Sequence, residues 1–305
     1  MIRVSVIIPT RDGAGPLRTC LEALTTSFPA DAETVIVIDG EDGSPETALA
    51  TFVEPLRIRW VRAPRGGPAR ARNHGLAHAR GEIVAFTDDD CRPRAGWVSA
   101  LAAGAQVSAP RAVGGITLNG LQSNPYADAA QVVLDLVARD ERTRFGRERF
   151  FPCNNCAFPT EPLRRLGGFN ESFRTAEDRE LCRRWLDAGF DLGSAPAAVV
   201  DHDPNTNLGG FLRKFFDYGR GAARFHRSGT NGSLRATAGF HVRLPVLAAP
   251  EVARRGPLRG STLAGLLALW ELANLAGFVT ERVVRGQDSA PRVAGSNGTQ
   301  PRVGS

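Results

Sequence analysis

Apolar and polar positions alternate between two regimes in the first third of the chain. The run Arg3–Ile8, ended by Pro9-Thr10, reads as a buried strand. Leu17, Cys20, Leu21 and Leu24 then recur at helical spacing. Two more apolar runs follow, Thr34–Ile38 ending in Asp39-Gly40 and Arg57–Val61 ending before the Pro/Gly-rich loop 64–68. A helix is expected over 69–79, and then the strand Glu82–Thr87. Strands separated by segments of about 10–15 residues imply right-handed βαβ units and a parallel sheet. The pattern predicts a Rossmann-like α/β layer.

Past Pro110 the order loosens. Ala112–Leu118 reads as a strand, Tyr126–Ala138 as a helix, and the charge run 139–149 as a solvated loop or helix face. Over 177–188 a helix is expected, with Leu181, Trp185 and Ala188 on one face and Glu180–Arg184 paired at i,i+4. A short strand at 197–200 leads to Asp201-His202, and 211–225 forms a helix carrying Lys214 and Tyr218. The apolar segment 263–279 contains Glu271 and Asn274, which makes it a poor membrane span. Its stripe of Leu263, Leu266, Leu267 and Trp270 favours packing, with attachment to a membrane surface as the alternative. From Gly286 the Gly/Ser/Pro/Gln-rich composition predicts disorder. The expected division is 1–226 for the α/β domain, 227–285 for a helical C-terminal extension and 286–305 for a tail.

Composition narrows the class. Of 305 residues, 42% are hydrophobic and 23% charged, as in a soluble globular protein with a sizeable core. The net charge is +6, carried almost wholly by arginine, since Lys214 is the only lysine. No basic stripe with interleaved aromatics argues for nucleic acid. Five cysteines give no disulfide framework, and Cys153-x-x-Cys156 lacks the second pair a zinc site needs, so buried reduced thiols are expected. The apolar run at the start is too short for a secretory signal, which leads to the expectation of a cytoplasmic protein, with the inner face of the membrane as a possible station.

The sharpest chemistry is the triplet Asp88-Asp89-Asp90 after the 82–87 strand. Carboxylates at the C-terminal end of a parallel strand lie where such sheets bind ligands. Three adjacent acids repel one another unless a hard divalent cation sits among them. A solvated acidic turn, or a cap for a helix beginning near Pro93-Arg94, competes with that reading.

Six pieces in order decide between them. These are Val4–Thr10, Val35–Ser44, Ala71-Arg72-Asn73-His74-Gly75, Phe86–Asp90, Gly167–Glu171 and Glu177-Asp178. Over about residues 3–226 the chain resembles the nucleotide-sugar domain of inverting glycosyltransferases of family 2, with the GT-A fold. The resemblance implies a metal-dependent enzyme that moves one sugar from a nucleotide diphosphate sugar to an acceptor hydroxyl. It assigns nucleotide-sugar binding to Pro9, Thr10, Asp39, Arg72, Asp88 and Asp89, and leaves open whether Asp39 or Asp42 makes the nucleoside contact. It implies Mn²⁺ or Mg²⁺ on Asp88, Asp90 and His202, and Asp178 as general base. Asn154, Asn155, Gly168 and Glu177 fall on the acceptor side, Gly168 within a flexible loop. Thr175-x-x-Asp178 also fits a helix capping box, a role compatible with the first. The acceptor is unknown, a lipid-linked one being suggested by the apolar C-terminal segment.

Two other classes compete. One is a catalytically silent nucleotide-sugar-binding protein that recruits a partner through its C-terminal helix. The other is a nucleotidyltransferase, for which Thr10-Arg11-Asp12-Gly13 is a poor match. Arg184-Trp185 resembles the end of the Gln-x-x-Arg-Trp signature of processive synthases, but position 181 is Leu, so single-sugar transfer is favoured.

Overall fold

The computed structural model describes residues 2–11, 14–40, 45–146, 149–228 and 234–288. The N-terminal half runs β1 (Val4–Thr10), α1 (Ala14–Thr25), β2 (Ala32–Asp39), the short turns α2 (Pro45–Ala48) and α3 (Val53–Leu56), and β3 (Ile58–Ala63). It continues with α4 (Pro68–His78), β4 (Ile83–Phe86), β5 (Cys91–Pro93) and α5 (Trp97–Gly104). Next come β6 (Arg111–Asn119), α6 (Pro125–Phe145), β7 (Cys156–Pro159), α7 (Thr160–Arg165) and α8 (Glu177–Asp187). The chain closes with β8 (Asp191–His202), α9 (Leu208–Arg227), α10 (Leu234–Arg254) and α11 (Gly256–Asp288).

Among the described residues eight strands join one sheet in the order β3-β2-β1-β4-β7-β6-β8-β5. The first four run parallel, as expected. Beyond β4 the sheet is mixed: β7 is antiparallel to both neighbours, and β5 is antiparallel to β8. Every residue of β2 is buried, because helices cover both faces of the parallel half. The Leu17, Cys20, Leu21 and Leu24 stripe of α1 seals one face, each leucine contributing about 1.5–3 kcal/mol by burial. On the other face, α4, α7 and α8 pack around Phe86, Phe158, Phe169 and Trp185.

Several expectations are corrected. No helix begins at Pro93-Arg94: Cys91–Pro93 is a strand, and the next helix starts at Trp97. Pro9-Thr10 lies within β1, and the short strand at 197–200 is the end of the 12-residue β8. Ala188 is exposed at the end of α8 and takes no part in its packed face. Of the two readings of the charge run the helix face holds as far as Phe145, in the last turns of α6, which is capped by Gly146 with φ 70°. Asp42 and residues 289–305 lie outside the described residues.

A third apolar cluster joins α6, α9, α10 and α11 through Val133, Phe211, Phe215, Leu267 and Trp270. Ion pairs from Arg243 to Asp140 (2.7 Å) and Arg255 to Asp128 (2.9 Å) fasten α10 and its C-terminal end to α6. Helices α9 and α11 meet backbone to backbone. A Cβ on Gly219 would lie 1.9 Å from the Asn274 carbonyl oxygen, and one on Gly277 1.9 Å from that of Phe216. This approach brings the buried Glu281 under Arg220, Arg224 and Arg227 of α9. Their charges hold its carboxyl at about 2, against the push of burial. Gly219→Val should therefore lower stability by about 1–3 kcal/mol in urea unfolding, since the obstacle is backbone and cannot rotate away. Gly239→Ala, with open space at its Cβ, should be neutral or stabilising. Equal effects would contradict this account of the helix contact.

Candidate active site

The acid triplet leaves β4 at the C-terminal edge of the parallel strands. All three aspartates are part-buried, not turned into bulk solvent. Each is held differently. Asp89 Oδ2 accepts from Thr10 Oγ1 at 2.6 Å, which ties the triplet to the end of β1. Asp88 Oδ1 accepts from Arg72 Nη2 at 2.7 Å. Asp90 Oδ2 lies 3.3 Å from His202 Nε2.

His202 arrives by strand pairing. β5 and β8 run antiparallel with Cys91 opposite His202, and the Asp203 amide donates to the Asp90 carbonyl at 2.9 Å. The flanking acids are occupied elsewhere: Asp201 takes both arms of Arg94, and Asp203 pairs with Arg92. Only the imidazole turns to Asp90. Burial pushes the Asp90 carboxyl up, but His202 and the charge of Lys214 outweigh it and leave the group below the usual range. The Cys91 thiol is close enough to complete a three-ligand group with Asp90 and His202, all within 4.8 Å. Burial and the neighbouring aspartates push that thiol up, so it stays neutral and ligates poorly. An ionised carboxylate beside an imidazole fits a hard or borderline divalent ion, while Asp88, expected as a further ligand, is not part of this group and is held by Arg72.

Arg72 joins the triplet to α8. Its buried guanidinium donates to Asp88 at 2.7 Å and to Glu177 Oε1 at 2.9 Å, and lies 5.7 Å over the Phe169 ring. Its Nε is buried without a hydrogen-bond partner among the described residues. Burial pushes the guanidinium down, but Asp88, Cys153 and Glu177 hold it well above its ordinary value, so its charge is permanent.

Glu177 and Asp178 open α8. Burial, then the Asp178 charge, push the Glu177 carboxyl up to about 7, against Arg72. Burial likewise raises Asp178, against the charge of Arg179 and the Arg179 amide donating to Oδ1 at 2.7 Å. The capping-box expectation fails: Ala176 occupies the cap position in a left-handed conformation (φ 66°), and Thr175 Oγ1 donates instead to the Asp217 carbonyl at 2.8 Å.

The loop expected to be flexible is tied down. Asn73 bonds both the carbonyl and the amide of Phe169, at 2.9 and 2.8 Å. Arg184 holds the Leu166 and Gly168 carbonyls while pairing with Glu180. Glu171 pairs with Arg70 at 3.0 Å.

Asp39 spends both oxygens on the amides of Gly66 and Gly67, at 2.8 and 3.0 Å, shaping the loop before α4. Asn155 departs from its expected place on the acceptor side. The β6–β8 register slips between Gly114 and Ile116, and Asn155 Nδ2 fills the gap, donating to Ile116 O and Ala198 O at 3.0 and 3.1 Å. Its Oδ1 accepts from Trp97 Nε1 at 2.8 Å. Thus Asn155 is a brace inside the sheet. Asn154 accepts from Thr117 Oγ1 at 3.3 Å.

Sequence reasoning placed Lys214 and Tyr218 on a helix but not at the site. Helix α9 brings Lys214 to the cleft that His202 lines and Tyr218 within reach of the acids' charges. Lys214 lines a narrow cleft with His202, Asn119 and Gln131, and its ammonium lies 5.7 Å over the Tyr218 ring. Lys214 pulls the Tyr218 hydroxyl down, but burial together with Asp178, Glu177 and Asp88 leaves it raised. The available signal was that Lys214 is the sole lysine in an arginine-rich chain.

The raised Glu177 carboxyl has a thermodynamic signature. Between its ordinary 4.5 and about 7 the folded state holds a proton that the unfolded state has released, so stability falls as pH rises through this window. Glu177→Gln should remove that fall. Thermal midpoints of the two proteins should converge toward pH 4.5 and separate toward pH 7, with the wild type lower; parallel curves would contradict the assignment.

A sequence model of glycosyl transferase family 2 matches residues 5–167. The pre-mycofactocin glycosyltransferase of Mycobacterium tuberculosis is 32% identical over 229 residues, which are 72% of this chain and 47% of that protein. The chain thus spans about half the length of that curated relative. Glycosyltransferase AglE of Haloferax volcanii is 27% identical over 226 residues, 72% of each protein. Among solved structures, a mannosyltransferase of Pyrobaculum calidifontis in complex with GDP-mannose and Mn²⁺ superposes with a TM-score of 0.64. At 23% identity, over 94% of this chain and 88% of that one, this likeness concerns the fold.

Proposed function

The chain belongs to glycosyltransferase family 2 and has the GT-A fold, and from that premise we propose that it transfers one sugar from a nucleotide diphosphate sugar to an acceptor hydroxyl with inversion. The observation that supports this reading is the Arg72 bridge, which joins Asp88 of the acid triplet to Glu177, next to Asp178 at the start of α8.

In this reading the nucleotide lies along Pro9, Thr10, Asp39 and Arg72, at the strand ends, with Asp88 and Asp89 beside its ribose and diphosphate. Asp88, Asp90 and His202 would hold Mn²⁺ or Mg²⁺, which when bound supplies Lewis-acid stabilisation to the departing diphosphate. Lys214 adds positive charge on the same side. Asp178 takes the proton of the acceptor hydroxyl as that oxygen bonds to the anomeric carbon from the face opposite the diphosphate. The bond to the diphosphate breaks with its electron pair, and the configuration inverts. Burial raises the basicity of Asp178 toward the range useful near neutral pH. Arg72 neutralises part of the charge on Glu177, which lets two adjacent acids open one helix.

Asp178→Asn should lower transfer by about 10²-fold or more while a nucleoside diphosphate with Mn²⁺ still raises the thermal midpoint. Asp90→Ala should abolish that metal-dependent shift. Unchanged turnover in the first variant removes Asp178 as base. Donor binding without turnover in the wild type would favour a silent binding protein.

We further propose that α10 and α11 rest on a lipid surface. Supporting this, Leu258, Leu272, Leu275, Val279 and Val283 are exposed on α11, as are Val242 and Val246 on α10. Within residues 256–284 an 18-residue stretch reaches a mean hydropathy of 1.5, so the helix is long and apolar enough to cross a membrane. Yet Leu263, Leu267 and Trp270 on the inner face are committed to the helical cluster, which favours lying on the surface over crossing it. In liposome flotation the wild type should float and Leu272→Ser/Leu275→Ser/Val279→Ser should not; equal flotation would discard the idea.

A further inference from the structure

A second cavity, of about 120 Å³, opens between α9 and the loop that enters α8, lined by Arg174, Thr175, Asp217, Arg220, Gly221 and Arg224. At about 30 Å³ per water, it has room for several waters or one phosphate-sized anion. Its walls are set by close approach. Thr175 Oγ1 reaches the Asp217 carbonyl at 2.8 Å, and a Cβ on Gly221 would come within 2.3 Å of that hydroxyl. With no side chain at 221 the loop seats against α9, and the arginines on either side surround a hollow.

The charges in this hollow are not balanced within it. Arg224 is fully used, on Glu281 at 2.7 Å and on the Ser172 carbonyl at 2.9 Å. Arg220 spends only its Nε on Glu281, at 2.9 Å, and among the described residues neither terminal amino group has a protein partner. Arg174 is exposed and makes no ion pair among the described residues. The carboxylates of Asp217 and Glu281 are present, but Arg227 also leans on Glu281 at 3.2 Å, so positive charge is in excess. Guanidinium donors in excess of the carboxylates around a small cavity are a donor set for phosphate oxygens.

The location connects the cavity to the chemistry. Thr175 lies three residues before Asp178. Asp217 precedes Tyr218, whose hydroxyl responds to Asp178, Glu177 and Asp88. Arg220 and Arg224 sit about 3–9 Å further along the α9 axis than Tyr218.

We propose that this cavity binds a phosphate group carried by the acceptor, seating it so that the reacting hydroxyl is presented to Asp178. The proposal rests on the glycosyl-transfer reading and narrows its acceptor to a phosphate-bearing molecule. A phosphate on a soluble molecule and one in a lipid headgroup share this chemistry, and two arms separate them. The full chain is first saturated with Mg²⁺ and the nucleoside diphosphate that stabilises it most, which fills the donor site. Inorganic phosphate is then titrated calorimetrically, and sedimentation with phosphatidic acid vesicles is measured against phosphatidylcholine.

Arg174→Gln and Arg220→Gln should each weaken binding in at least one arm by roughly tenfold, the loss of a charge-assisted hydrogen bond. Arg220→Lys should recover part of it. The thermal shift given by the nucleotide should be unchanged in all three variants, which also reports that they fold. Loss in the first arm identifies a soluble phosphate, and loss in the second a lipid one. Binding unaffected by the variants in both arms overturns the proposal, as does no binding in either while the nucleotide still binds. No nucleotide binding by the wild type would remove the glycosyl-transfer reading itself, and this inference with it.

Discussion

One buried guanidinium makes the site possible. Asp88, Asp90, Glu177 and Asp178 bring four carboxyl groups from two distant segments to one cleft, and like charges at such range oppose folding. Arg72 binds Asp88 and Glu177 at once and is almost wholly withdrawn from water. Removing one member of such a group strands the others, which is far costlier than never having buried them. Its ordering has a second consequence. With Glu177 held by Arg72, the adjacent Asp178 has only a local amide as hydrogen-bond partner among the described residues, and its carboxylate stays available for a proton.

The remaining geometry follows from where the sheet changes direction. Four parallel strands end together and place their following loops side by side, so that Thr10 bonds Asp89 and Asp39 bonds the Gly66 and Gly67 amides across long sequence separations. The short β5 then folds back on β8 and delivers His202 to Asp90. Further along β8, a slipped register is repaired by the Asn155 amide. That repair locks α5, through Trp97, to the strands that carry the histidine.

Helix α9 serves two surfaces. One presents Lys214 and Tyr218 to the acids, and the other presents arginines to Glu281 and to the second cavity. The glycine contacts with α11 fix both, because a helix seated backbone against backbone has little freedom to slide or rotate. The C-terminal helices thereby help to hold α9 in front of the acids and do more than extend the chain.

By itself the sequence determined the elements and the chemical types. The apolar runs of β1 to β4, the α1 stripe and the acids after β4 were legible because burial and periodicity are local properties. The order of the family's motifs was legible for the same reason. Tertiary structure decided which groups meet and which are spent. Asn155 reads as a site residue until a register slip gives its amide two carbonyls to satisfy. Thr175 and Asp178 read as a capping pair until Ala176 takes the cap position and the Thr175 hydroxyl donates to the Asp217 carbonyl of α9. Lys214 reads as one cation on a helix until α9 sets it in the cleft beside His202. Hydrogen-bond and charge partners lie tens to more than a hundred residues away along the chain, and no local pattern encodes a contact that exists only when the layers close.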